Sequence, residues 1–574
     1  MNYLGVYHSN YPRSTAGICD APCVSKGRMM LCAEETASEG YLLTMVYGRI
    51  RNRAELAKEL GCAENTACAY LVLLAYRRWG RDYPRHIEGP AVICAMDVDR
   101  DRMVLSRDRM GEQPVFYARA AERVIFSDHP DSLLKTASVE PVVDLGGMCE
   151  LFGLGPARTP GRTPLRDVLM LEPGCVLIAE GGSVTIDRYF SIQPMAHHED
   201  AEETIQHTRM LLERAVDFVL PLHPGAMLSG GLDSTALTAL LCTRLGPIRT
   251  FSVDYQDNAE DFQPNAFRPE MDAPYIEMAV RAFATNHRTV VLQQAALADA
   301  LAEAVSARGF PGMADIDSSL MLFAKRIARE VPAVVSGECG DEVFGGYPWF
   351  RGDAPLSDEA FPWSGSMVLR ESILKPEVRA KLNLRGYVRE TLARAIDQTG
   401  IEGDPEDREA RLQRIQLLCF RFFMANLQER AVRMCDHYAL KVLTPLCDDR
   451  LVQYVFNVPW DMKFMGGQEK GLFRAAVKDL MPPVLNSRKK SPYPKTCSPI
   501  YTEIIRGLTM ALLTDRGAPI LEWIDENRVR AIAESSLDPA ATPWFGQLMA
   551  GPQMLAYLWQ VNTWMRERNI TVTL

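Results

Sequence analysis

From Met1 to about Pro194, short runs of alternating apolar and polar residues are separated by turn residues, the signature of half-buried strands. Residues 41–47, 91–97 and 103–107 read as such strands. Helical spacing appears between them at 53–60 and 67–79. The strands come in hairpin-like pairs, so antiparallel sheets are expected. A polar stretch, residues 197–203, reads as a linker running into a helix. Beyond it the rhythm changes to strand–helix alternation. Residues 225–228, 250–253, 289–292 and 333–336 read as strands with helical sequence between them. That pattern predicts a doubly wound parallel sheet, whose ligands sit at the carboxyl ends of the strands. From about Asp358 onward helical patterns dominate.

The chain has 574 residues, too many for one core, so two or three domains are expected. Hydrophobic residues make up 47% and charged residues 24%, as in a globular protein in water. A formal net charge of −10 argues against a surface that wraps nucleic acid, and none is expected as a partner. No apolar run is long enough to span a bilayer, and the first residues carry no secretory signal pattern. The 14 cysteines show no C-x-x-C pairs, the nearest two being Cys19 and Cys23. Most are expected to be reduced core thiols of a cytoplasmic protein.

One segment concentrates the chemistry. The apolar run Ala226-Met227-Leu228 feeds Ser229-Gly230-Gly231, and Leu232-Asp233-Ser234-Thr235 opens an amphipathic helix. Strand, glycine turn and helix N-terminus together make an anion site. The turn lacks the Gly-Lys-Ser/Thr ending of a Walker loop, so no lysine there reaches a γ-phosphate. Asp233 instead offers a carboxylate to Mg²⁺.

A second segment is equally specific: Ser336-Gly337-Glu338-Cys339-Gly340-Asp341-Glu342-Val343-Phe344-Gly345-Gly346-Tyr347. With the Ser229–Ser234 loop it resembles the asparagine synthetase family. The likeness continues through Leu440 to Asp448, Lys470 to Arg474 and Arg488-Lys489-Lys490. It extends to Ser106 through Pro114 and to Leu171-Glu172-Pro173-Gly174 in the first part of the chain. The resemblance implies an α/β protein of two domains. Residues 1–194 would form an αββα, glutaminase-like domain of the N-terminal-nucleophile type. Residues 195–574 would form a doubly wound ATP-pyrophosphatase domain with added helices. The implied activity is AMP-forming amide synthesis with ATP and Mg²⁺, in which the carboxylate attacks the α-phosphorus and pyrophosphate leaves. Leu228, Ser229, Gly230, Gly231, Asp233, Ser234, Val253, Ser336 and Gly337 would bind the nucleotide. Asp233 and Asp341 would hold the metal. Glu338 would accept a proton from the attacking amine, and Lys490 would stabilise charge on the adenylate or the tetrahedral intermediate. Lys470 and Arg474, four apart, read as phosphate contacts on one helix face or as surface charge.

The departures from the family matter as much. Glutamine-using members carry a cysteine after the initiator Met, and Asn2 stands there. Their Asn-Gly-Glu segment aligns with Tyr47-Gly48-Arg49, which reverses a charge. The first domain is therefore expected to be an inactive scaffold. The amine would come from the substrate itself, as in lasso-peptide cyclases and β-lactam synthetases, and a macrolactam cyclase is the preferred specific reading. A precursor peptide and a leader protease would then be its partners. Ammonia-dependent amidation of a small carboxylate is the close alternative, and a non-catalytic nucleotide-binding partner is the alternative of another class. Lys441-Val442-Leu443-Thr444-Pro445 aligns with the family's Glu-Val-Arg-Val-Pro, a change that points to a different acceptor or to drift. Oligomeric state is not legible in the sequence.

Overall fold

The computed structural model describes residues 2–7, 21–120, 123–136, 139–262, 264, 270–352, 356–404, 407–538 and 543–574. Cys19 lies outside them. The chain forms two compact units. The first comprises residues 1–147, 159–193 and 571–574; the second comprises 148–158 and 194–570.

The first unit is built on two six-stranded antiparallel sheets. Alternation explains how one strand serves two layers, because successive side chains point to opposite faces. In the strand Leu42–Gly48, Leu43, Met45 and Tyr47 join a core with Tyr3, Leu31 and Phe126 of the other sheet. Leu42 and Val46 face the opposite way, onto Leu56, Leu71, Leu73 and Tyr76 of the helices Arg53–Leu60 and Cys68–Trp79. The expected strands and helices of this unit are present, with ends displaced by at most one residue.

One cysteine pair departs from the expected reduced state. Cys23 lies opposite Cys32 on adjacent antiparallel strands, Cα–Cα 4.0 Å, and the two form a disulfide. The other described cysteines are free thiols.

The second unit is organised by a five-stranded parallel sheet. Its strands are β1 (Gly225–Met227), β2 (Arg249–Tyr255), β3 (Asn286–Leu292), β4 (Ala333–Val335) and β5 (Lys441–Leu443), in the order 3-2-1-4-5. β5 lies in a stretch expected to be helical, within the 441–445 segment. The chain runs outward from β1 to β2 and β3, then crosses to the other side for β4 and β5. The direction reverses between β1 and β4, and such a switch point leaves a crevice beyond the carboxyl ends of those two strands. The two motif segments follow β1 and β4. Among the described residues, no helix is long and apolar enough to cross a membrane.

Candidate active site

The turn after β1 is held by its own hydroxyls. Leu228 is buried and its N–H donates to Phe251 O at 2.7 Å. Ser229 N–H donates to Ser234 Oγ at 3.2 Å, and Gly231 N–H to Ser229 Oγ at 3.3 Å. Ser234 Oγ–H donates back to Gly231 O at 3.1 Å. Gly230 sits at φ +70°, and a Cβ there would come within 2.9 Å of Ile276 N and 3.0 Å of Arg488 Nη1. Glycine is needed both for the backbone sign and for the close packing. Helix α1 (Leu232–Leu245) begins immediately after, with its N-terminus facing the crevice. Arg488 braces the turn from beneath. It donates to Ser229 O at 3.2 Å, pairs with Asp272 and stacks on the Tyr275 ring at 4.1 Å.

The turn after β4 forms the facing wall. Ser336 N–H donates to Leu443 O of β5 at 2.9 Å. Cys339 adopts φ +76°, which turns the chain sharply into the short helix α2 (Gly340–Phe344). Gly337 and Gly340 allow the two walls to approach. A Cβ at Gly337 would stand 3.0 Å from Ser234 N, and one at Gly340 would stand 2.6 Å from Asp233 Oδ1. Asp233 on α1 and Asp341 on α2 thereby share one site.

Two lysines complete it. Lys470 Nζ lies 2.5 Å from Asp233 Oδ2 and 2.5 Å from Asp341 Oδ1, and Lys490 Nζ lies 2.5 Å from Asp341 Oδ2. Burial alone would raise the Asp341 pKa, but the two ammonium groups outweigh it and hold the carboxyl down to about 2. Asp233 has one ammonium partner and the charge of Asp341 beside it, and burial raises its pKa. Burial also raises the pKa of Glu338, opposed chiefly by Arg430.

These groups line one cavity of about 200 Å³. Of the residues singled out from sequence, Leu228, Ser229, Gly231, Asp233, Ser234, Val253, Ser336, Gly337, Glu338, Asp341 and Lys490 all reach it. Gly230 shapes the turn without lining the cavity. Lys470 and Arg474 do not share a helix face. Lys470 precedes the helix Gly471–Val477 in a left-handed conformation, φ +56°, which swings its side chain between the two aspartates. Arg474 donates to Arg488 O at 3.0 Å and Glu469 O at 2.8 Å, bracing the segment that carries Arg488 and Lys490. Arg488 and Lys490 turn inward and Lys489 is exposed, as an extended backbone requires. Lys470 as the bridge between the carboxylates, Arg430 and Tyr493 were not legible in the sequence.

Comparison with known proteins decides the family. Residues 207–566 match the asparagine synthase family model, and residues 35–190 match the glutamine amidotransferase domain model. The chain is 34% identical over 585 aligned residues to glutamine-hydrolyzing asparagine synthetase 3 of Bacillus subtilis (strain 168), covering 100% of this chain and 94% of that protein. It belongs to the asparagine synthetase family. A putative glutamine-hydrolyzing asparagine synthetase of Mycobacterium bovis (strain ATCC BAA-935 / AF2122/97) is 24% identical over 507 residues, covering 80% of this chain and 75% of that one. Asparagine synthetases are ATP-dependent carbon–nitrogen ligases, and this chain is accordingly an ATP-dependent, amide-forming enzyme.

The cavity suits an asparagine synthetase's nucleotide. Apolar groups at Leu228, Val253 and Ile276 offer a surface for a base, and the turn's N–H groups and the α1 terminus offer donors to phosphate. A Mg²⁺ ion also fits the donors present. Asp233 Oδ1 is buried and has no hydrogen-bond partner, and Asp341 lies beside it. Two carboxylates are what Mg²⁺ takes from a protein when nucleotide phosphates and water supply the remaining ligands. Among the described residues there is no cluster of three or more His, Cys, Asp or Glu that would hold a metal without such help.

Proposed function

We propose that this enzyme adenylates a small carboxylate and couples it to an amine that it does not obtain from glutamine. The observation that carries the first half is the alternating row Asp233, Lys470, Asp341, Lys490 at the mouth of the phosphate turn. The two lysines neutralise the carboxylates. When a polyphosphate enters, Lys470 and Lys490 exchange carboxylate oxygens for phosphate oxygens, and Asp233 and Asp341 are left to Mg²⁺. Held by Asp233 and Asp341, the metal would supply neutralisation of charge on the departing pyrophosphate. The N–H groups of the turn that its own hydroxyls leave free, together with the α1 terminus, hold that leaving group in line. Glu338, in the opposite wall, then takes the proton of the attacking amine. Lys490, 5.1 Å from the Tyr347 ring centroid, stabilises the oxyanion.

The second half rests on the first unit. Asn2, immediately before the strand Tyr3–Tyr7, presents an amide rather than a nucleophile, and its backbone N–H donates to Asp128 at 3.1 Å. Arg49 stands where the family holds glutamine with a glutamate. Its charge is buried, which lowers its pKa, and it faces Glu112. Amidation of a small carboxylate agrees with the names of the relatives; those names also say glutamine-hydrolyzing, and the proposal of free ammonia departs from them on the strength of Asn2 and Arg49. The altered segment at Lys441, Leu443 and Thr444 favours a second reading, in which the acceptor is larger and carries its own amine, as in closure of a macrolactam on a peptide. A precursor peptide would then be the partner.

The test measures glutamate release from glutamine, alone and with ATP, Mg²⁺ and L-aspartate, alongside amide formation from ammonium chloride. No glutamate with amide from ammonium is the expected result. Glutamate release by the purified enzyme would overturn the glutamine-free reading. Amide formation unaltered in Glu338→Gln would remove Glu338 from the proton-transfer step.

A further inference from the structure

Glu338 is the base in the reading above, yet its carboxylate accepts no hydrogen bond from any described residue. Its turn supplies only a 3.4 Å contact from its own backbone N–H to Ser336 Oγ. What stands opposite the carboxylate is Arg430, on helix α3 (Ala425–Asp436), whose Nη1 lies 3.7 Å from Glu338 Oε1.

Arg430 is fixed far more tightly than Glu338. Its side chain is 2% exposed. Nε donates to Asp317 Oδ1 at 3.0 Å, Nη2 donates to Ile316 O at 2.8 Å, and the guanidinium lies 4.8 Å from the Tyr493 ring centroid. These neighbours are fixed in turn. Tyr493 meets Ser319 Oγ at 3.1 Å, and Asp317 is held by Arg308 at 2.9 Å and by Met313 N–H at 3.0 Å. Two guanidinium groups thus share the one carboxylate of Asp317. Arg430 retains charge that Asp317 does not cancel, and its remaining edge faces Glu338 in the cavity wall.

We propose that Arg430 is the positioning residue of Glu338: it fixes the carboxylate in the cavity wall for proton abstraction. Every other influence on Glu338 is mixed. Asp233 and Asp341 repel its charge, Lys490 attracts it, and Glu342, whose pKa burial raises to about 8, adjoins it as a neutral carboxyl near neutral pH. Tyr347, Tyr493, Cys339 and Cys435 adjoin it as neutral groups, since burial keeps their protons on. Burial works against ionisation, and Arg430 is the strongest force in its favour. The inference rests on Glu338 being the base, and its test separates the two statements.

The first measurement needs no substrate. Infrared pH titration of the full chain, with the Glu338 carboxyl band identified as the one missing from Glu338→Gln, reads the ionisation of that group directly. Arg430→Met is expected to move the transition up by roughly 1–3 pH units, the effect of losing an opposite charge at this range. Arg430→Lys is expected to move it less. Arg430→Gln replaces the methionine variant if the latter does not fold. An unmoved transition in a folded, neutral variant overturns the proposal. The second measurement uses L-aspartate and ammonium chloride as probes. Arg430→Met is expected to slow amide formation by roughly tenfold or more near neutral pH, to recover as pH rises, and to leave ATP–pyrophosphate exchange nearly intact. Glu338→Gln with Arg430→Met should be no slower than Glu338→Gln alone. Additive losses would make Arg430 a structural residue and overturn the proposal. If Glu338→Gln forms amide normally, the base assignment fails, and the infrared result still decides whether Arg430 governs Glu338.

Discussion

Both units bury charge, and they do so in opposite ways. In the first unit Arg107 is 2% exposed and spends its guanidinium on carbonyls, donating to Gln113 O at 2.7 Å, Leu171 O at 2.8 Å and Gly111 O at 2.7 Å. Asp108 accepts from Glu112 N–H at 2.8 Å and Gln113 N–H at 3.0 Å. These charges are consumed by the turn they fold. In the second unit Asp233, Lys470, Asp341 and Lys490 satisfy one another, line a cavity, and leave Asp233 Oδ1 without a partner. Both units carry residues of the family's motifs. The partners they choose separate a charge that builds backbone from a charge that waits for a ligand.

The largest expected effect breaks the second arrangement. Asp233→Ala or Asp341→Ala should reduce ATP–pyrophosphate exchange by roughly a hundredfold or more while circular dichroism stays unchanged. Near-normal exchange at saturating Mg²⁺ in both variants would remove the metal assignment. Next, Lys490→Ala should damage amide formation at least as much as exchange; a wild-type rate of amide formation would return Lys490 to a structural role. The converse test lies in the first unit. Arg107→Ala leaves three carbonyls without their donor and should destabilise that unit by several kcal/mol. Exchange per folded molecule should be unchanged, and a loss of exchange without a loss of stability would blur the distinction drawn above.

The smallest effect concerns the support of α2. Lys463 is fully buried, donating to Gln416 Oε1 at 3.0 Å and Phe456 O at 3.1 Å, and burial lowers its pKa to about 7. Gln416 in turn donates to Glu342 O at 3.0 Å and Val343 O at 2.8 Å, beneath the helix that carries Asp341. The folded pKa is depressed, so the unfolded chain binds the proton more readily between about pH 7 and the ordinary lysine range. Stability of the wild type should therefore rise across that window relative to Lys463→Met, and fall as pH drops toward 7. Parallel denaturation curves for the two proteins would refute a buried, titrating lysine.

The fold was legible where local chemistry determines it. A short continuous apolar run marked the strand Ala91–Asp97, which is buried on both faces, and helical spacing marked the helix Arg53–Leu60. The β1 and β4 turns were legible because glycines and carboxylates at their spacing have few other uses. β5 was missed because three residues, Lys441–Leu443, show no period and owe their conformation to β4. Lys470 was read on the wrong element, since its reach depends on a left-handed backbone that a lysine rarely adopts. Arg430 carries no local signal: it is a helical arginine whose partners, Asp317, Tyr493 and Glu338, come from three distant segments. The Cys23–Cys32 bond escaped notice because its cysteines meet through strand register, nine residues apart, and not through a short motif.

The most direct test of the central claim is Mg²⁺-dependent exchange of labelled pyrophosphate into ATP by the purified wild-type enzyme across a panel of small carboxylates, with the nucleotide products identified in parallel. The account predicts exchange that requires both Mg²⁺ and one particular carboxylate, with AMP and pyrophosphate as the products of turnover. Cleavage of ATP to ADP and phosphate, or exchange indifferent to every carboxylate offered, would contradict it.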